Sequence, residues 1–159
     1  MIYTLLEILL VSAGATSAMT LFSYAMSKKF RELYKEPVLL GYAIDRMKIK
    51  IAAEKAKILG WISHYAIGFL FVLGYHFLWL DYPELLSPQG VLLLGAASGI
   101  LGILSWMFIF EMTQYNPQID VKGYYIQLFF AHMLFAITAR VLYSITLTLL
   151  ILIKSYVTI

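Results

Sequence analysis

Residues 58–80 read ILGWISHYAIGFLFVLGYHFLWL, a stretch of 23 residues from Ile58 to Leu80 with no Asp, Glu, Lys or Arg. An α-helix needs about 20 consecutive apolar residues to cross the roughly 30 Å hydrocarbon core of a bilayer. This stretch has that length, and it stops abruptly at Asp81-Tyr82-Pro83-Glu84 and the turn-forming Ser87-Pro88-Gln89-Gly90. Three further runs of the same kind lie on either side of it. They give expected helices at about residues 3–27, 91–112 and 124–153, interrupted within only by Glu7, Glu111 and Arg140.

These four runs and their connections use up the 159 residues, so the chain reads as one all-α, integral membrane domain, a four-helix bundle. Composition agrees: 62% of residues are hydrophobic and 13% charged, where a water-soluble domain carries about 25% charged residues. Met1 to Thr4 has no Lys or Arg ahead of the first run, so a cleaved signal peptide is not expected. Cysteine is absent, which excludes a disulfide framework, thiolate metal ligands and a Cys nucleophile.

Charge placement sets an expected orientation. Nine of the twelve Lys and Arg lie between Lys28 and Lys57, and Lys122 follows the third run; Lys154 alone lies on the other side. The 28–57 and 113–123 connections are therefore expected in the cytoplasm and both termini outside. Segment 28–57 has nine basic and four acidic residues, Glu32, Glu36, Asp45 and Glu54, hence net +5, mixed with Val38-Leu39-Leu40. It is expected to lie along the inner leaflet, with Lys28, Lys29, Arg31, Lys48 and Lys50 near anionic headgroups, each worth about 1 kcal/mol. Pro37 suits the first turn of a short helix there.

An internal echo suggests two tandem helix pairs. Gly14-Ala15-Thr16-Ser17-Ala18 resembles Gly95-Ala96-Ala97-Ser98-Gly99, and His64, Gly68 and Tyr75 are matched in spacing by His132, Ala136 and Tyr143. Each His and its Tyr, eleven residues on, fall on one helical stripe, because eleven steps of about 100° nearly close three turns. Ser12, Thr16, Thr20, Ser23 and Ser27 form another stripe on the first helix, suited to hydrogen bonds across the bundle or to the border of a wet cavity. Small residues such as these let membrane helices approach closely. This pattern loosely resembles the small four-helix bacterial inner-membrane proteins of unknown function that include the YagU-like group. The resemblance implies a fold and a bacterial cytoplasmic membrane, and brings no activity with it.

Ionisable side chains inside a span are costly and are functional candidates by default. His64, His132 and Glu111 are expected at similar depth near the cytoplasmic boundary. Converging, they would suit a divalent metal or a proton relay, and the two His a haem; hydrogen bonding between helices is the simpler alternative. No cofactor follows from the pattern itself. Arg140, mid-helix, requires a partner, with Glu7 or a snorkelling Asp81 available; His76 is expected at the interface. No hydrolase or kinase motif is present, and nucleic acid is not an expected partner. Three functions stay open: association with lipid, with itself as a homo-oligomer or with a larger membrane complex; a carrier or channel for a small solute or proton; and a haem or metal protein.

Overall fold

In the computed structural model, which describes residues 2–47 and 52–157, every apolar run is helical. The long helices are α1 (Ile2–Phe30), α3 (Ala53–Asp81), α4 (Pro88–Thr113) and α5 (Val121–Val157), with a short α2 (Glu36–Arg46) between the first two and a 3₁₀ turn at Pro83–Leu86. The four long ones are each apolar and long enough to cross a membrane. The molecule is thus an all-helical, multi-pass membrane bundle. Leu10, Leu21, Leu70, Leu93, Phe108 and Ile126 all remain exposed on its outside, an apolar surface suited to lipid tails rather than to water.

Helix ends follow local chemistry. Ser87 caps α4, its Oγ accepting from Gly90 N at 3.2 Å, with Pro88 in the first turn. At the opposite end, α1 and α4 both terminate on left-handed residues that are not glycine, Arg31 (φ 57°) and Gln114 (φ 50°). In each case the next amide bonds back across the last turn, Glu32 N to Ser27 O at 3.2 Å and Tyr115 N to Phe110 O at 3.1 Å.

Helix α5 packs along both α1 and α4, and α1 packs along α3; α3 and α4 meet mainly through the 3₁₀ turn between them. One seam of the bundle is therefore loose. Within segment 28–57, a short helix docks onto the bundle. This helix, α2, begins at Glu36 with Pro37 in the first turn, and Glu36, Pro37, Leu39, Leu40, Gly41 and Ala43 are buried, against α3 and partly against α4. Two glycines permit this docking: a Cβ on Gly60 would lie 2.9 Å from Gly41 Cα and collide with Pro37 O. An apolar stripe on an 11-residue helix is better buried against protein than left at a headgroup layer. Lys28, Lys29 and Arg31 are exposed at the same end, while Lys48 and Lys50 lie outside the described residues.

Candidate functional site

All five stripe residues of α1, Ser12, Thr16, Thr20, Ser23 and Ser27, are buried. Three of them bond other segments. Thr20 Oγ1 lies 2.9 Å from His64 Nε2 on α3, Ser23 Oγ donates to Glu36 Oε1 at 2.7 Å, and Ser27 Oγ donates to Glu32 O. From α5, Gln127 Nε2 donates to Ser23 Oγ at 2.7 Å and reaches Glu36 Oε1 at 3.4 Å. A carboxylate, a hydroxyl and an amide from three helices thus form one buried cluster. Yet Glu36 Oε2 and Gln127 Oε1 have no hydrogen-bond partner, and an unmet buried acceptor costs about 1–3 kcal/mol.

Glu36 is 2% exposed. Burial pushes its carboxyl up to about 7 from an ordinary 4.5, against the opposing pull of Ser23, its own backbone amide and Gln127. It borders a cavity of about 170 Å³ that also holds both candidate histidines. His64 and His132 each lie eleven residues from the helix end nearer α2, so they stand at one depth, roughly 16 Å in along the helix axis. Phe71, Trp106 and Phe135 supply aromatic wall, and Thr16 and Ser105 further hydroxyls. Ile67 on α3 and Ser105 on α4 line the cavity and are also exposed. The cavity therefore opens sideways at the loose α3–α4 seam. Gly102 makes room for the His132 ring, since a Cβ there would stand 2.6 Å from its Cε1.

The protons on the two rings can be placed. His132 Nδ1 lies 2.9 Å from Leu128 O; a carbonyl only accepts, so Nδ1 carries a hydrogen and Nε2 of the neutral ring keeps its lone pair. Thr20 Oγ1 sits 2.7 Å from Thr16 O, a separation at which two oxygens attract only with the hydroxyl hydrogen between them. Thr20 thus has no proton left for His64, whose Nε2 must donate to it, leaving Nδ1 as the acceptor.

The other sequence candidates separate from this site. Glu111 is exposed on α4 and does not line the cavity; Glu36, which the sequence reading counted only as part of a basic segment, stands where a carboxylate was sought. Among the described residues no group of three His, Cys, Asp or Glu side chains is placed to hold a metal ion. Arg140 is half-buried and donates from Nε to Leu86 O at 3.2 Å, at the 3₁₀ turn. Glu7 instead accepts from Thr146 Oγ1 at 2.9 Å, and Asp81 is exposed. Arg140 thus finds a backbone carbonyl that the end of a short 3₁₀ turn leaves free, rather than a carboxylate. His76 is buried, with Nδ1 3.1 Å from Tyr143 Oη, because its end of α3 packs into an aromatic set in which Trp79 and Tyr143 rings are 4.8 Å apart.

Comparison with known proteins finds no match. No family model, no curated protein and no solved structure is similar to the chain. Function must be read from the site.

Proposed function

We propose that this protein is a carrier for a small solute, with proton binding at Glu36, His64 and His132 coupled to solute binding in the cavity. The observation that carries the reading is the juxtaposition of a buried carboxylate and two neutral-ring histidines around one cavity that reaches the bundle surface. A bundle built only for association would gain by filling that space, since voids in packed interiors forfeit contact energy. At about 170 Å³ the cavity is smaller than the roughly 300–1,000 Å³ of drug-sized sites, which favours a compact solute and gives the haem alternative no support. Arg140 and Glu7 stand outside it and serve helix packing in this reading.

The charge distribution supports an orientation with α2 in the cytoplasm and both termini outside, in the bacterial cytoplasmic membrane that the resemblance implies. The exposed Lys28, Lys29 and Arg31 then contact anionic lipid. A duplication relating α1 and α3 to α4 and α5 is part of the same proposal: it would pair the tight α1–α5 seam with the loose α3–α4 seam, so that the cavity sits where the symmetry is broken.

Proteoliposomes loaded with a pH-reporting dye test the coupling. A transmembrane pH gradient is imposed and small cations, zwitterions, anions and sugars are added in turn. One class should collapse the gradient faster in wild type than in Glu36→Gln liposomes, which also set the background for solutes that cross bilayers unaided. If no class does so, the carrier reading is wrong.

A further inference from the structure

The proton assignments on the cavity wall say more about the solute. Once its hydrogen has left, the buried and unpartnered Glu36 Oε2 is an acceptor, His132 Nε2 and His64 Nδ1 hold lone pairs, and Ser105 Oγ has given its hydrogen to Leu101 O at 2.7 Å. Against these four acceptors the lining side chains offer two donors, the Thr16 hydroxyl and the Trp106 indole N–H. A site with spare acceptors rewards a solute rich in N–H or O–H donors and leaves a carboxylate solute facing unmatched charge. Glu36 has no ion-pair partner in its cluster, whose other members, Ser23 and Gln127, are uncharged. Aromatic walls suit a cation as well, since Phe71, Trp106 and Phe135 present π-systems that attract positive charge.

From this we infer that the solute is a small organic ammonium ion that takes the place of the Glu36 proton. The inference rests on the carrier reading and sharpens it. With no solute, the acidic hydrogen of Glu36 neutralises the buried carboxyl. When R–NH₃⁺ enters, the hydrogen leaves to water and the ammonium pairs with the carboxylate, so one positive charge replaces another and the interior stays neutral. Two cations competing for one carboxylate are enough to couple their movements in opposite directions. The titratable groups facing Glu36 are Tyr24 on α1, His64 on α3, and Tyr124 and His132 on α5; the α4 wall adds only Ser105 and Trp106 among polar groups. Phenols ordinarily stay neutral until about pH 10, and both imidazoles serve as neutral rings with a lone pair toward the cavity, so near neutrality the exchanged proton is that of Glu36.

Benzylammonium, benzyl alcohol and benzoate share one shape and differ in charge, and a benzene-sized body suits a cavity of this volume. Calorimetric titration of the purified full chain in detergent at pH 8 should show benzylammonium bound at least tenfold more tightly than benzyl alcohol, with benzoate not bound. In weakly buffered solution at pH 6, benzylammonium should release close to one proton per molecule bound. Glu36→Gln, checked for retained helicity and monodispersity, should abolish both the preference and the release. Equal affinity for the ammonium and the alcohol, or binding without proton release, overturns this inference and leaves the carrier reading intact. The liposome measurement separates the two further: collapse of the gradient by anions or sugars alone would reject the ammonium and keep the carrier.

Discussion

At the scale of single residues, Glu36 dominates. A carboxyl raised to about 7 by burial holds its proton more tightly in the folded chain than in the unfolded one. Folding then takes up a proton between about pH 4.5 and pH 7, so stability is greatest below that window, falls as pH rises through it, and levels off above. The full difference is on the order of 3 kcal/mol. Thermal unfolding in detergent should therefore show a melting temperature that declines from pH 5 to pH 7, and Glu36→Gln should remove the decline and exceed wild type at pH 8. An equal loss of stability in the variant at pH 5 and pH 8 would contradict a neutral Glu36. A second residue-scale expectation concerns Gly102: Gly102→Ala puts a methyl group against the His132 imidazole, which should displace the ring from Leu128 O and weaken solute binding tenfold or more while costing about 1–3 kcal/mol. The polar stripe of α1 and the two histidines were legible in the sequence because helical spacing alone aligns them. Glu36 was not. It lies outside every span, among lysines, and only the docking of α2 brings it beneath the histidines; the uncharged but buried Ser23 and Gln127 were the available hint that a partner was missing.

At the scale of elements, α2 decides whether the site exists. Its first residue closes one end of the cavity and its apolar face rests on α3 through the Gly41–Gly60 contact. Gly60→Leu cannot be accommodated without lifting α2, so it should lower stability by roughly 1–3 kcal/mol and expose the 28–57 segment to protease, with Glu36 returned toward its ordinary acidity. A variant that melts like wild type and resists protease equally would remove α2 from this role. The ends of α1 and α4 carry a different signal. Gln114 holds φ 50°, a conformation that glycine adopts without the Cβ penalty, and its side chain is exposed. Gln114→Gly should therefore raise stability by about 1 kcal/mol, read as a higher melting temperature. The left-handed caps themselves were hard to see in the sequence, since neither Arg31 nor Gln114 is a glycine or asparagine, although Asn116-Pro117 marks the α4 stop nearby.

At the scale of the whole molecule, four spans could be read from composition and run length, because a membrane asks for one property over about 20 residues and little else. The lateral cavity could not, since it depends on which pairs of helices approach, and an apolar sequence constrains that only through scattered small residues. Orientation lies between these cases. The basic residues gather at the end where α2 docks, and the opposite end carries Asp81 and Glu84 near the 3₁₀ turn. In the proposed orientation, with Lys and Arg retained in the cytoplasm, α2 and its carboxylate face the inside and the α3–α4 turn faces out, which would set the direction of proton exchange at Glu36. The absence of cysteine makes a direct measurement possible, because any single introduced thiol is unique. Glu54 and Glu84 are both exposed, at opposite ends of the bundle. In intact cells, Glu84→Cys should react with a membrane-impermeant maleimide and Glu54→Cys should react only after the membrane is permeabilised. The reverse pattern would place the basic segment outside, and Glu36 would then exchange its proton with the opposite compartment.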